Sequence, residues 1–243
     1  MNAFTLKIIA LTSMIIDHMG VVFPDQFGFE FRVIGRLAFP IYVYLVAEGF
    51  KHTKSPAKFL TRLFVFAIIS QPVFQMALRG IDSPWNVSFF TNTNIFYTLL
   101  FGGAAIVVYK YLHKLTLNNV AVLPLFLFMW LAKFFSSDYG AYGVMFVFVM
   151  YWIGQVYNGK VPKCIQITVM AALCLWQHNA VIRFALSGYA IYIPILTWML
   201  IPATLLPVLL VVLYNGKRGS SLKWFFYTSY PIHLAVLAIV RAG

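Results

Sequence analysis

With 243 residues, 62% of them apolar, 18% aromatic and only 10% charged, the chain lies far from the roughly 45–50% apolar and about 25% charged of a soluble domain. That much apolar surface excludes a soluble globular fold and makes lipid the expected solvent. The formal charge of +12 invites a nucleic-acid reading, but no loop is long enough to form a separate binding domain. Membrane topology accounts for most of the excess, so no nucleic-acid partner is expected.

Apolar runs long enough to carry a helix across about 30 Å of hydrocarbon recur about nine times. They cover residues 6–23, 33–50, 59–78, 95–112, 120–135, 142–157, 165–177, 185–214 and 224–240. The expected fold is all-α: a polytopic integral membrane helical bundle of one domain, residues 1–243, without an internal repeat. The first run is interrupted by Asp17 and His18 and lacks a clear small-residue cleavage site, so it reads as a working span and not a signal peptide. The eighth carries Pro194, Pro202 and Pro207 and is expected to be kinked or broken into two pieces. Cys164 and Cys174 match no zinc or redox spacing and read as packing residues.

Orientation follows from the basic residues. Lys7, then Lys51, Lys54, Lys58 and Arg62, then Lys110 and Lys114, Lys160 and Lys163, and Lys217, Arg218 and Lys223 occupy alternate connections. Only Arg32, Arg36, Arg79, Lys133, Arg183 and Arg241 fall elsewhere. Positive loops stay in the cytoplasm. The expected topology is therefore N-terminus cytoplasmic and C-terminus outside, in the inner (cytoplasmic) membrane.

The chain has six acids. Asp25, Glu30 and Asp82 read as residues of short outer loops, whereas Asp17 is inside the first span, Glu48 is near the cytoplasmic end of the second, and Asp138 is just beyond the fifth. A carboxylate in hydrocarbon costs at least about 2.5–3.5 kcal/mol, so it faces the protein interior with a partner and marks a candidate functional site. Ser13, Asp17 and Gly20 share one helix face, and His18 lies about 100° round from it. Asp17 could orient that imidazole or pair with Arg36, in which case a buried ion pair simply fastens the first two spans. Arg32, one turn before Arg36 on the same face, could snorkel to the outer headgroups. His233 in the last span shares a face with Tyr230 and Phe226, beside Pro231, at a depth comparable to His18. A two-histidine cavity is the functional reading and a satisfied core histidine the plain one. His52 and His113 have no special role, and His178 is ambiguous.

Asp138 opens the run DYGAYG, a turn at the outer mouth. It reads as a tight connection capped by an aspartate or as an acid helping to hold an acceptor at the cavity entrance. The stretch FTNTNIFYT reads as a re-entrant or capping segment with Asn92 and Asn94 as donors. Glu48 and Lys51 fit a surface ion pair. The clusters around Lys51 and Lys217 could bind an anionic cytoplasmic ligand such as the phosphates of coenzyme A.

The runs LKIIALTSMIIDHMG, RVIGRLAFPIYVYLVAEGFKHT, RLFVFAIISQPVF, NIFYTLLFG, DYGAYGV, YNGKRG and KWFFYTSYPIHL resemble, in order and over essentially the whole chain, the TraX family, named for the F-pilin acetylase. The last run also looks like the final-span motif of larger membrane acyltransferases. What the resemblance implies is an acetyl-CoA-dependent membrane N-acetyltransferase, acting on an amine such as the N-terminus of a pilin or other small peptide. Acetyl-CoA would be its co-substrate, and it would need no metal. Carried over by motif, the resemblance points to Asp17, His18, Arg36 and His233, with Tyr230 beside them, as catalytic. It puts Asp138, with Tyr139 and Asn94, on the acceptor side. Lys217 and Arg218, with Lys51, Lys54 and Arg62, would bind the nucleotide end of the donor. The reading from another class is a proton-coupled secondary transporter, because intramembrane Asp and His residues also build proton relays. A third is a non-enzymatic assembly factor.

Overall fold

The computed structural model describes residues 1–80, 91–115, 120–156, 163–186 and 193–242, except for the side chains at 29, 156, 163, 178–186 and 193–201. Expectations placed on Asp82, Lys160, and the side chains of Lys163, His178, Arg183 and Pro194 lie outside the described residues. Among those described, every regular element is helical: α1 (Ala3–Val22), α2 (Pro24–Gly35), α3 (Ala38–His52), α4 (Pro56–Arg79), α5 (Ile95–Lys114), α6 (Leu123–Phe134), α7 (Gly140–Val156), α8 (Lys163–Leu186), α9 (Ile193–Val212) and α10 (Lys223–Ala242).

Five stretches are long and apolar enough to cross a membrane: Ala3–Val22, Glu30–His52, Pro56–Arg79, Ile95–Lys114 and Lys223–Ala242. They match the expected first four spans and the last. The other apolar stretches with described side chains are shorter: Leu123–Phe134, Gly140–Gln155, Cys164–Gln177 and Pro202–Val212. The 12 residues of α6 rise only about 18 Å, against the roughly 30 Å of a hydrocarbon core. The described residues thus supply five spans of full length and apolarity, matching five of the nine expected.

Two other elements depart from expectation. The connection holding Asp25 and Glu30 is helical, as α2, which Pro24 opens and which breaks at Gly28 with φ 54°. A non-glycine residue would be disfavoured there. The expected single run 185–214 is divided between the end of α8 at Leu186 and α9, which starts at Ile193 and stays helical through Pro202 and Pro207.

The chain forms two compact units, residues 1–42 with 157–222 and residues 43–156 with 223–243. In the first, α1 and α2 make a hairpin whose closeness depends on glycine. A Cβ at Gly20 would come 2.9 Å from Phe31 Cβ, and one at Gly35 would overlap the Asp17 carboxylate. The chain after α9 clasps the start of α1. The Met1 amino group donates to the Leu213 carbonyl (2.7 Å), and the Ala3 N–H donates to the Lys217 carbonyl (2.9 Å).

In the second unit α4 and α10 run parallel. Phe66 in the middle of α4 stacks on Tyr227 near the start of α10 (5.1 Å between centroids), and Arg241 donates to the Ala77 carbonyl near the ends of both (2.8 Å). Helix α5 returns in the opposite sense. Asn94 at its head meets Ala67 and Gln71, while Lys110 near its tail donates to the Phe50 carbonyl (3.4 Å). Gly102 admits Val147 of α7, where an added Cβ would come 2.7 Å from the valine Cβ.

Candidate active site

In the first unit Asp17 has a partner, and it is Arg32. The guanidinium donates to Asp17 Oδ2 at 2.8 Å, with the two side chains 34% and 21% exposed. The sequence favoured Arg36 for this role and left Arg32 to the headgroups. The α1–α2 hairpin brings Arg32 onto the carboxylate, while Arg36, at the turn into α3, acts on it only through its charge. Arg36 Nε is buried and has no hydrogen-bond partner among the described residues. Gly35 is what lets the carboxylate lie against α2. His18 is buried beside this group. The result is one acid between two arginines, a locally cationic site suited to a carboxylate, a phosphate or a developing oxyanion.

Lys217 and Arg218 sit at the other end of α1, separated from Asp17 by about 20 Å of helix. Their loop is tied down by the Lys217 N–H donating to Asn215 Oδ1 (3.0 Å), and Arg218 donates to Ser221 Oγ (3.1 Å). Both are exposed, and Arg218 also acts on the charge of Lys7.

The second unit repeats this polarity. At one end, Glu48 is ion-paired with Lys51 (3.8 Å) and lies within hydrogen-bond distance of His52 Nε2 (3.2 Å), so the expected ion pair is present and His52 joins it. Lys54 is exposed on the following turn. Arg62 lies over the Phe59 ring at 5.5 Å, its charge acting on the Tyr227 hydroxyl.

At the other end, Asn94 caps α5. Its Oδ1 accepts from the Phe96 N–H (3.0 Å), and its Nδ2 donates to the Ala67 carbonyl and to Gln71 Oε1 (both 2.8 Å). The amide groups of Gln71 and Gln75 donate to the Asn92 carbonyl at 3.2 and 2.9 Å. The Asp138 N–H donates to the Thr93 carbonyl (2.9 Å), and the Thr98 hydroxyl donates to the Asp138 carbonyl. Asn92, Ser136 and Tyr139 all have positive φ (63°, 43° and 61°). Side-chain-bearing residues tolerate such geometry only where their surroundings over-determine it, and it concentrates at functional sites. Asp138, Tyr139 and Asn94, the three residues expected on the acceptor side, are therefore brought to one end of one unit. The Asn94 side chain is spent on the fold there, and the Asp138 backbone on anchoring the turn.

Along α10, between those two ends, lies His233. It is 9% exposed, and its Nδ1 is 2.7 Å from the Ser229 carbonyl. A carbonyl can only accept, so Nδ1 carries the proton and a neutral ring has its lone pair on Nε2. Tyr230 sits edge-on to the ring at 5.5 Å between centroids.

Asp17, His18, Arg36, Lys217 and Arg218 belong to the first unit, and Lys51, Lys54, Arg62, Asn94, Asp138, Tyr139, Tyr230 and His233 to the second. Sequence reasoning passed over Gln71 and Gln75, two amides one turn apart inside an apolar run, whose spacing signals an inward polar face. It took both cysteines for packing residues; Cys174 is buried but Cys164 is exposed.

Apolar helices long enough to span a bilayer, carrying buried polar clusters, define a helical integral membrane protein with intramembrane polar sites. The chain belongs to the TraX family: the family described as TraX protein matches residues 3–241. It is also similar to the probable fimbrial assembly protein FimC, serogroup H1, of Dichelobacter nodosus, with 30% identity over 252 residues covering 99% of this chain and 96% of that protein. No solved structure matches.

Proposed function

We propose that this protein is an acetyltransferase of the inner membrane. It would take acetyl from cytoplasmic acetyl-CoA and deliver it to an amine on the outer side, such as the N-terminus of a fimbrial or pilin subunit. Membership of a family named for the F-pilin acetylase supports this, as does a relative named for fimbrial assembly. So does the gathering of basic side chains and of the polar turn at opposite ends of the helices of one unit. On this reading all nine apolar segments cross or enter the bilayer, the N-terminus is cytoplasmic and the C-terminus is outside.

The observation that carries the proposal is His233. It is a buried imidazole whose tautomer is set by the Ser229 carbonyl, so that Nε2 can accept a proton. The acceptor amine attacks the thioester carbonyl carbon and forms the new C–N bond while its proton passes to Nε2. The C–S bond then breaks, and the coenzyme A thiolate leaves with that proton. Within the same unit Tyr230, edge-on to the His233 ring, would supply an O–H for the oxyanion. Two basic clusters are candidates to hold the phosphates of the donor, Lys217 with Arg218 in the first unit or Lys51, Lys54 and Arg62 in the second.

The test uses purified protein in lipid nanodiscs with labelled acetyl-CoA and a peptide bearing a free N-terminal amine. Label should appear on the peptide amine, and His233→Ala should slow transfer by about 10²- to 10⁴-fold, the usual contribution of a general base. Transfer at the full rate in His233→Ala would remove the assigned base.

A further inference from the structure

A serine or threonine hydroxyl on a membrane-spanning helix ordinarily donates to the carbonyl one turn back, because hydrocarbon offers no other partner. Thr61, Thr168, Thr228 and Ser229 do this, donating to the carbonyls of Ala57 (3.0 Å), Cys164 (2.8 Å), Trp224 (3.0 Å) and Phe225 (2.6 Å). Ser70 of α4 does not. It is 0% exposed, and its Oγ has no hydrogen-bond partner among the described residues, whereas buried polar atoms are nearly always paired. Among the described residues, then, nothing satisfies the Ser70 hydroxyl.

Helix geometry gives the direction. At about 100° per residue, with Phe66 as origin, Ala77 lies near 20° round α4, Ser70 near 40°, Ala67 near 100° and Gln71 near 140°. Phe66 and Ala77 meet Tyr227 and Arg241 of α10, and Ala67 and Gln71 meet Asn94 at the head of α5. Ser70 therefore points into the seam between α10 and α5. Its level is about 6 Å beyond Phe66, between those of Tyr230 and His233, which lie about 4.5 and 9 Å beyond Tyr227 on the parallel helix. The same seam holds Phe96 edge-on to Tyr230 at 5.1 Å.

We propose that Ser70 is a catalytic residue whose hydroxyl donates a hydrogen bond to the carbonyl oxygen of the acetyl thioester in the seam beside His233. The inference rests on the acetyl-transfer reading. As the amine bonds to the carbonyl carbon, the π pair moves onto oxygen and the Ser70 O–H stabilises it without giving up its proton. The pair returns when the C–S bond breaks. A donor already oriented in a dry site needs no reorganisation at that moment.

The experiment compares full-length wild type, Ser70→Ala, Ser70→Cys and Thr228→Ala in nanodiscs with labelled acetyl-CoA and the amine peptide. Ser70→Ala should lower kcat by about 10²-fold, as loss of an oxyanion donor does. It should leave the KM for acetyl-CoA within about twofold, since the bond strengthens only in the transition state. Its thermal midpoint should not move, because no bond within the protein is lost. Ser70→Cys, a weaker donor of similar size, should fall between, and Thr228→Ala, whose hydroxyl is already used by its own helix, should match wild type. An unchanged kcat in Ser70→Ala overturns the role of Ser70 while the acetyl-transfer reading stands. Rates that fall only in step with thermal midpoint mark a packing role and overturn it too. No transfer by wild type overturns both readings.

Discussion

Gly35→Ala puts the hairpin of α1 and α2 to a direct test. The added methyl would occupy the space of the Asp17 carboxylate, so either the helices part or Asp17 swings away from Arg32, whose donor is now 2.8 Å from Oδ2. A hydrogen bond to a charged group contributes about 1.5–3 kcal/mol. The 34% and 21% exposure of the two side chains places this one toward the lower part of that range, because water already screens it. Overpacking a tight contact costs a further ~1 kcal/mol or more. The expected loss is about 2–3 kcal/mol, or roughly 4–12 °C in thermal midpoint for a chain of this size. The assay is thermal unfolding of wild type, Gly35→Ala, Asp17→Ala and the double variant in the same detergent. If the methyl acts by displacing the carboxylate, Gly35→Ala should cost little once Asp17 is alanine, giving a coupling of about 2 kcal/mol. Costs that add to within about 0.5 kcal/mol would refute the argument.

Asn94→Ala removes the cap of α5 and leaves the Ala67 carbonyl and Gln71 amide without that partner; it should destabilise by about 3 kcal/mol or more. Asn94→Asp, which keeps the acceptor for the Phe96 N–H, should recover part of that loss in the same unfolding assay. Gly102→Ala should cost about 1–3 kcal/mol through Val147, and Val147→Ala in the same chain should relieve it. Lys217→Ala with Arg218→Ala, both exposed, should raise the KM for acetyl-CoA with little change in kcat. Raising salt should weaken the wild type more than the double variant, and an unchanged KM would place the donor phosphates elsewhere.

Much of the candidate site could be read from the chain because the bilayer makes polarity conspicuous. Asp17, His18 and His233 stand out by interrupting apolar runs, and Asn94 by sitting just before one with the side chain a helix cap requires. Spacing could not identify their partners. Arg32 and Arg36 are one turn apart on one helix face, and either could have met Asp17; the hairpin register and the lack of a side chain at Gly35 select Arg32. Ser70 looked like any small residue in an apolar run, and only the direction of its hydroxyl distinguishes it.

By itself the sequence determined the class, the helical content and the axial position of each polar group, since hydropathy and helical rise are local properties that need no knowledge of neighbours. The tertiary structure decided which carboxylate meets which guanidinium, which His233 nitrogen holds the proton, and that the connection holding Asp25 and Glu30 folds as a helix against α1. Those outcomes depend on how helices distant in the chain approach one another, and close approach is set by side chains that no single segment contains.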